Sequence, residues 1–494
     1  MKKDIKTLAF DFGASSGRAM LGTFDGEQIR LKELHRFSND PVTVNGTMYW
    51  DILRLLFEIK ESLLKAKPEG KLDSLGIDTW GVDFGLLDAY GNLLSNPVHY
   101  RDKRTVGILE KAFQKIPKET LYETTGNQFM EINTAFQLYA LRLQNPELLD
   151  EAHSLLLMPD LIRYLLTDQK QTEYSIASTT QLLDTKTRTF SEEVLEALSI
   201  PKRLFGEIVP TATKAGALSP QICEELGIEP VETIAVAGHD TQCAMAAVPT
   251  QEEDFLFLSC GTWSLLGTEL AEPILNSDAY QCNLTNEGGY GNKASFLKNI
   301  IGLWLIQETR RQWRKMGESL SFAQMEALAR AETPFVSFID PDDAVFVPAG
   351  DIPKRIQDYC QSTGQNVPQT KGQLLRCIYD SLAMKYRYVA AQIEFCTKKQ
   401  YPNLYMVGGG VQDALLCETA ADVLQKEVVA GPVEATVYGN ILLQLLALGA
   451  VADLKTARKI LLLSEQPKHY APKAEKAETV EQAYQRFLEV TGLC

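Results

Sequence analysis

The sequence predicts an α/β protein built as two related halves, and three observations carry that prediction. First, 494 residues is long for one hydrophobic core and suits two domains of roughly 250 residues each. Second, strand-like apolar runs alternate with helical periods through the first hundred residues. Third, one strand–loop–strand plan occurs twice. Leu8-Ala9-Phe10-Asp11-Phe12-Gly13-Ala14-Ser15-Ser16-Gly17-Arg18 is echoed by Leu256-Phe257-Leu258-Ser259-Cys260-Gly261-Thr262-Trp263-Ser264-Leu265. Both read as apolar run, polar residue, any residue, Gly, Ala or Thr, any residue, Ser, apolar run. Two strand–phosphate-loop–strand units predict a duplicated fold whose halves face one nucleotide across a cleft.

The elements follow in order. After the first hairpin, Asp51 caps a helical period over Ile52, Leu55, Leu56, Ile59 and Leu63, which stops at the Pro68 and Gly70 breakers. Residues 75–88 read as two strand segments around a Trp-Gly loop, with a turn at 89–92. From 105 to about 225 helical patterns dominate, including 146–157 and 160–166, as an all-helical insertion into the first domain. A buried strand returns at 232–237 and delivers Gly238-His239-Asp240-Thr241. The polar stretch 249–253 marks the junction between a first domain, 1–248, and a second, 254–494. In the second, 299–316 and 372–396 read as long helices, and 404–407 as a strand entering Gly408-Gly409-Gly410. A helix from about Gln412, a strand at 428–430, a helix from Ala435 and a closing amphipathic helix at 480–490 complete the pattern.

Composition narrows the function. The net charge of −15 argues against a broad nucleic-acid or anionic-membrane surface, while leaving room for a small phosphorylated ligand held by one loop and a Mg²⁺ ion. Nine scattered cysteines without a CxxC motif imply neither a zinc site nor a disulfide framework and fit reduced thiols in the cytoplasm. Met1-Lys2-Lys3-Asp4 leads straight into the first strand without the apolar region of a signal peptide. The most apolar later run, 441–451, carries Gln444 and reads as a buried helix.

Several residues have the chemistry of a phosphoryl-transfer site. In the first loop Gly13 and Gly17 allow positive φ and close backbone approach to an anion. Ser15 and Ser16 supply hydroxyl donors, Arg18 a forked cation, and Asp11 a carboxylate able to hold a hydrated metal ion. The plain alternative is a hairpin turn with polar tips. Asp240, at the end of a buried strand, can accept the proton of a sugar hydroxyl as that oxygen attacks phosphorus. Its alternative role is a helix N-cap. Trp80-Gly81-Val82-Asp83 pairs a flat apolar surface with a carboxylate for vicinal hydroxyls, the alternative being a core Trp beside a surface Asp. Tyr100-Arg101-Asp102-Lys103-Arg104 reads first as a solvated loop with internal ion pairs. The Gly408–Gly410 turn can admit an adenine or ribose. It is not a dinucleotide fingerprint, because the third glycine of that pattern falls on Asp413. Asn299 and Gln307, eight residues apart, would share one broad face of a helix, or be ordinary polar helix positions.

These motifs, in this order, resemble the FGGY family of carbohydrate kinases over nearly the whole chain. They are the first loop, Trp80-Gly81-Val82-Asp83, Tyr100-Arg101-Asp102 with Arg104, Met158-Pro159-Asp160, His239-Asp240-Thr241, Gly261-Thr262 and the triple glycine. The resemblance implies two actin-like, ribonuclease-H-like domains facing a central cleft. It implies ATP contacts from Ala14, Ser15, Ser16, Gly17, Arg18, Gly261, Thr262, Gln307, Gly409 and Gly410. Contacts to a ketose would come from Gly81, Asp83, His239, Asp240, Thr241 and Asn299, with Asp240 as base and Asp11 positioning Mg²⁺ through water. The implied reaction is transfer from ATP to the 1-hydroxyl of L-rhamnulose, in a cytoplasmic monomer or homodimer without nucleic-acid or membrane partners. Another ketose such as L-fuculose, or an actin-like ATPase switch without a sugar, are the competing expectations. Cys260 stands where a Ser is usual. Asp413 replaces the usual Asn and is expected to weaken nucleotide binding by its charge.

A complex with an ATP analogue should show the Gly13 and Gly261 loops both on its phosphates; a complex with one loop far from any phosphate contradicts the duplication argument.

Overall fold

The computed structural model describes residues 4–493; the lead-in Met1–Lys3 and Cys494 lie outside them. The chain forms two compact units. The first comprises the chain to Ala247, Glu269–Phe296 and Ala435–Ser464; the second comprises Val248–Thr268, Leu297–Glu434 and the chain from Glu465.

In the first unit, β1 (Ile5–Phe12), β2 (Ser16–Phe24), β3 (Ile29–Ser38), β4 (Ser74–Thr79), β5 (Thr213–Ala217) and β6 (Glu232–Ala235) form one sheet. Their order is β5-β6-β4-β1-β2-β3. The strands β1, β2 and β3 make an antiparallel meander. β4 lies parallel to β1, β6 parallel to β4, and β5 antiparallel to β6. The parallel centre is apolar because helices cover both faces. On one face Ile52, Leu55, Ile59 and Leu63 of the Ile52–Ala66 helix pack with Leu8, Phe10, Leu161 and Ile162. That helix starts where Asp51 accepts from the Arg54 N–H, and it gives way to the Lys67–Glu69 turn at Pro68, as its sequence period predicts.

The second unit repeats the plan. Six strands of its seven-stranded sheet are β7 (Leu256–Cys260), β8 (Trp263–Leu270), β9 (Ala294–Ile301), β10 (Asn403–Val407), β11 (Glu427–Ala430) and β12 (Lys468–Tyr470), in the order β9-β8-β7-β10-β11-β12. The hairpin β7/β8 is antiparallel, β10 and β11 run parallel to β7, and β12 closes the edge antiparallel. Lys371–Thr397 is the long helix expected near 372–396, started by a reciprocal cap between Thr370 and Gln373.

Three expectations are corrected. The stretch 146–157 is a helix, Pro146–Glu151, followed by a strand, Ser154–Leu157, that pairs with Phe84–Leu87. The insertion is therefore not all-helical. Short strands punctuate it, and it encloses its own apolar core around Phe136, Leu138, Leu155 and Leu195. The stretch 299–316 divides into the end of β9 and the helix Trp304–Lys315, because Gly302 turns the chain. A side chain at Gly302 would strike Ser264.

The helix Ala435–Ala447 belongs to the first unit and packs against β1, β4 and the helix Asp240–Ala246. The approach is so close that a Cβ on Gly439 would collide with the Cys243 carbonyl oxygen. Gln444 Nε2 donates to the Leu8 carbonyl (3.2 Å) and to Asn440 Oδ1 (2.7 Å), and Ser74 Oγ donates to Gln444 Oε1 (2.7 Å). The Gly439→Ala variant should lose about 1–3 kcal/mol of stability through overpacking, read as a lower denaturant midpoint; an unchanged midpoint contradicts this packing.

Candidate active site

Three carboxylates of the first unit gather where β1, β4 and β6 end. Asp11 and Asp78 are register partners on β1 and β4. Asp240 follows β6, whose chain continues alongside β4 through a bond from the Thr79 N–H to the Gly238 carbonyl (2.9 Å). The C-terminal edge of a parallel sheet is where side chains and helix N-termini converge on ligands. Asp11 Oδ2 accepts from Arg18 Nε (2.9 Å) and Nη2 (2.7 Å) across the hairpin. Asp78 is wholly buried; Asn440 Nδ2 donates to its Oδ2 (2.6 Å), and its Oδ1 has no hydrogen-bond partner. Burial, with the charges of Asp11 and Asp240 beside it, pushes the Asp78 carboxyl well above the usual range.

Asp240 is the first residue of its helix; the N-cap position belongs to His239. The helix-cap alternative for Asp240 is thereby corrected. Its side chain is 33% exposed, while Thr241 Oγ1 donates to its Oδ1 (3.1 Å). Burial and Asp11 raise its carboxyl, against the lowering by His239 and Thr241. The turn before it is fastened by Glu173, a fully buried residue. Glu173 accepts from the Gly238 N–H (2.9 Å), the N–H groups of Ser175 and Ile176 (2.9 and 3.0 Å), the Ser175 hydroxyl (2.6 Å) and the Thr211 hydroxyl. At the other end of the helix Arg458 donates to the carbonyls of Met245 (2.9 Å) and Ala246 (3.3 Å), opposing the dipole's negative end.

His239 is buried, with Glu287 Oε2 at 3.1 Å from Nδ1 and Asp240 Oδ1 at 3.5 Å from Nε2. Burial alone would lower its pKa, but Glu287 and Asp240 outweigh burial and raise it.

Asp83 is not a free acceptor for sugar hydroxyls, which corrects that expectation. Its Oδ2 accepts from Trp50 Nε1 (2.6 Å), Trp80 Nε1 (3.0 Å) and the Tyr100 N–H (3.1 Å), and its Oδ1 from Gln137 Nε2 (2.9 Å). Four donors fill a carboxylate's acceptor sites. Trp80 likewise lies against Trp50, with ring centroids 3.9 Å apart. In the chain between Trp80 and Asp83, Val82 is held at φ +69°, a costly conformation for a β-branched residue. The Thr134 hydroxyl (2.6 Å) and Gln137 (3.3 Å) donate to its carbonyl, and its N–H donates to Thr179 Oγ1 (3.2 Å). The network thus shapes the backbone at Gly81. The solvated-loop reading of Tyr100 to Arg104 is also corrected: Tyr100 is buried and Arg104 Nη2 donates to Gln137 Oε1 (2.5 Å).

The first loop is held by Asn39, which donates through Nδ2 to the Gly13 carbonyl (2.9 Å) and through its N–H to the Ser15 carbonyl (3.1 Å). This leaves Ser15 exposed, with Ala14 and Ser16 half-buried. Neither Gly13 nor Gly17 has positive φ. Gly17 is required because a side chain would strike the Phe37 ring.

In the second unit the Gly261 hairpin is clasped by the turn after β9. The Leu303 N–H donates to the Gly261 carbonyl (3.0 Å), and the N–H groups of Gly302 and Trp304 to the Thr262 carbonyl (3.2 and 3.1 Å). Thr262 Oγ1 donates to Gln307 Oε1 (3.2 Å). Asn299 lies on β9, not on the helix of Gln307, so the shared helix face is withdrawn. In the triple-glycine turn Gly408 has φ +88°, a side chain on Gly410 would strike Cys260, and Gly409 faces open space. Asp413 caps the helix Ala414–Leu424 through the Leu416 N–H (3.0 Å) and accepts the Tyr379 hydroxyl, which spreads the charge expected there.

Among the described residues, no group of three or more His, Cys, Asp or Glu is arranged to ligate a metal directly. Mg²⁺ asks for less, since it keeps several waters and takes one or two carboxylates plus substrate phosphates. The converging Asp11 and the unpartnered Asp78 Oδ1 fit a hydrated ion of that kind. Sequence reasoning missed Asp78, Glu173, Glu287 and Asn39 as site residues. Only Asp78 carried a usable signal, its position one residue before the end of a buried strand.

This geometry, a duplicated sheet with acidic strand ends and paired glycine hairpins, has counterparts among known proteins. The chain belongs to the FGGY family of carbohydrate kinases: the family's N-terminal domain matches residues 6–247 and its C-terminal domain residues 256–448. Among its relatives, a protein of Halalkalibacterium halodurans named rhamnulokinase is 42% identical over 94% of this chain and 98% of its own. A rhamnulokinase of Bacteroides thetaiotaomicron is 40% identical over 94% and 95%. Solved structures share the fold at low identity. A ligand-bound xylulose kinase from Lactobacillus acidophilus has a TM-score of 0.79 at 17% identity, covering 98% of this chain and 97% of its own. A Plasmodium falciparum glycerol kinase with ADP has a TM-score of 0.77 at 15% identity, covering 99% and 98%. The chain is thus a carbohydrate kinase with two actin-like α/β domains.

Burial raises the Asp83 carboxyl from the ordinary 3.8 to about 6, against the donors Trp50, Gln137 and Trp80. Between those values the folded protein holds a proton that the unfolded chain releases, so stability falls as pH rises through that window. In Asp83→Asn the amide group faces Trp N–H donors, costing about 1–3 kcal/mol. Measured by unfolding, the wild type's advantage over the variant should shrink by about 2–3 kcal/mol from pH 4 to 6.5; an advantage independent of pH contradicts the raised carboxyl.

Proposed function

We propose that the protein transfers the γ-phosphoryl group of ATP to the 1-hydroxyl of L-rhamnulose. The named relatives at about 40% identity support the sugar. The observation that carries the chemistry is Asp240, partly open at a helix N-terminus while Asp11 and Asp78 beside it are tied to Arg18 and Asn440. In this reading the ketose O1–H gives its proton to the Asp240 carboxylate as O1 bonds to the γ-phosphorus, and the bond from phosphorus to the ADP oxygen breaks. Such transfer depends on orientation and charge neutralisation more than on a strong base. His239 and Thr241 flank the base, and the backbone at Gly81 and the side chain of Asn299 complete the sugar contacts. Asp83 supports Gly81 from behind.

Ser15, Ser16 and Arg18 receive phosphate oxygens in this reading. Thr262 with Gln307, and the open backbone at Gly409 and Gly410, serve the rest of the nucleotide. Asp11, with Asp78 behind it, would hold Mg²⁺ through water, and the chemistry the ion supplies is neutralisation of phosphate charge. No helix among the described residues is long and apolar enough to cross a membrane; in this reading the enzyme is cytoplasmic.

A coupled ADP-release screen over L-rhamnulose, L-fuculose, L-xylulose, D-xylulose and glycerol tests the substrate. L-Rhamnulose should have the highest kcat/KM, and a higher value for another acceptor contradicts the proposal. The Asp240→Asn variant should lose turnover by about 10²–10⁴-fold with ketose and ATP affinities retained. His239→Ala should mainly raise the ketose KM. An Asp240→Asn enzyme that keeps most of its turnover contradicts the assigned base.

A further inference from the structure

We infer that Glu287 is a positioning residue that acts on the sugar through His239. The inference rests on the proposed function in assigning His239 to the ketose. The side chains form one buried chain within the first unit: Ser295, Gln242, Glu287, His239 and Asp240. Ser295 Oγ donates to Gln242 Oε1 (2.7 Å), and Gln242 Nε2 donates to Glu287 Oε2 (3.2 Å). The same Oε2 lies 3.1 Å from His239 Nδ1. The contact is an ion pair when the ring is protonated. Among the described residues Nδ1 has no hydrogen-bond partner, and Glu287 is the acceptor within reach. Ser295, Gln242, Glu287 and His239 are each at most 8% exposed.

The arrangement fixes what each ring nitrogen can do. A buried carboxylate beside Nδ1 keeps a proton on that nitrogen and turns the ring so that Nε2 faces Asp240, 3.5 Å away. Gln242 in turn cannot rotate its amide, because its oxygen is taken by Ser295 and its nitrogen by Glu287. Gln242 lies on the Asp240–Ala246 helix, so the relay and the base share one rigid element. Glu287 comes from the strand Thr285–Gly288, far away in sequence. It is fixed there because the Gly288 N–H donates to Ser178 Oγ (2.7 Å), and a side chain on Gly288 would strike the Tyr174 ring. With Nδ1 facing its carboxylate, the Nε2 side of His239 is left for a ligand oxygen next to the hydroxyl that Asp240 activates. When the ring paired with Glu287 carries a proton on both nitrogens, Nε2–H donates, and the matching ligand feature is an oxygen acceptor on the carbon adjoining the reacting one, as in a ketose phosphorylated at C1.

The test uses Glu287→Gln, Glu287→Asp, His239→Ala and the double variant His239→Ala/Glu287→Gln in the full-length protein. Loss of a charged partner should lower kcat/KM for L-rhamnulose by about 10- to 100-fold in Glu287→Gln, chiefly through the ketose KM, with the ATP KM unchanged. Glu287→Asp, which keeps the charge, should recover part of that loss. Because Glu287 acts through the ring, Glu287→Gln should change nothing further in the His239→Ala background. Losses that add in the double variant overturn the inference, as does a Glu287→Gln enzyme with wild-type kcat/KM. A second readout needs no catalysis. The chain has five histidines, so the imidazole nitrogen resonances of labelled protein can be assigned with His239→Ala. The His239 nitrogens should shift in both Glu287→Gln and Glu287→Asp, and unshifted resonances overturn the inference even if wild-type protein accepts no ketose. A wild type that phosphorylates no ketose while those resonances shift as expected refutes the proposed substrate and leaves Glu287 holding the ring.

Discussion

The position of Asp240 depends on one buried carboxylate. Glu173 gathers five donors around the turn that follows β6, and one of them is the Gly238 N–H itself. A charge taken fully out of water is costly unless its acceptor sites are filled, and here backbone and hydroxyl donors fill them. The satisfied carboxylate ties the insertion to the strand end. Asp240 therefore starts its helix at a fixed point, and Arg458 and the glycine contact at Gly439 hold that helix from its other end and its side. For the base proposed at Asp240, whose task would be orientation, being placed by three separate parts of the chain is an advantage.

The same placement creates an electrostatic load. Asp11, Asp78 and Asp240 converge at neighbouring strand ends; Asp11 raises the cost of charging both Asp78 and Asp240, and Asp240 raises that of Asp78. The fold answers with Arg18 on Asp11, Asn440 on Asp78 and His239 beside Asp240. What is left over is an orphaned oxygen on Asp78 and a partly open Asp240. A site with excess negative charge and unfilled acceptors is suited to a substrate that arrives with its own hydrated cation. The chain's overall charge of −15 does not oppose that, because the loops proposed to hold the nucleotide present local donors instead of a broad basic face.

Much of the fold was legible in the sequence where a pattern is local. The repeated hairpin plan, the cap at Asp51, the long helix after Thr370 and the strand before Gly238 all follow from adjacent residues, and all are present. Legibility failed where distant residues decide. Asp83 looked like an open sugar ligand because nothing near it in sequence announces Trp50, Tyr100 and Gln137 as its donors. Asn299 looked helical because the apolar residues on either side of Gly302 fit a helical period, while the turn is set by contact with the Gly261 hairpin. The period of 435–447 showed a buried helix without showing which sheet it covers. Glu173 and Glu287 were silent for the same reason: a buried acid takes its meaning from partners that only the fold supplies.

The central claim is that the Asp240 carboxylate, held where the strand ends, takes the proton of the attacking ketose hydroxyl. The most direct measurement is the chemical step in a single turnover, by rapid quench of enzyme-bound ATP with saturating L-rhamnulose, with the phosphate located on the product by NMR. Wild-type protein should place the phosphate on O1. Asp240→Glu, which keeps the charge but moves it by one methylene, should slow the step by about 10²-fold. Transfer at the wild-type rate by Asp240→Glu, or phosphate on another oxygen, would contradict the account.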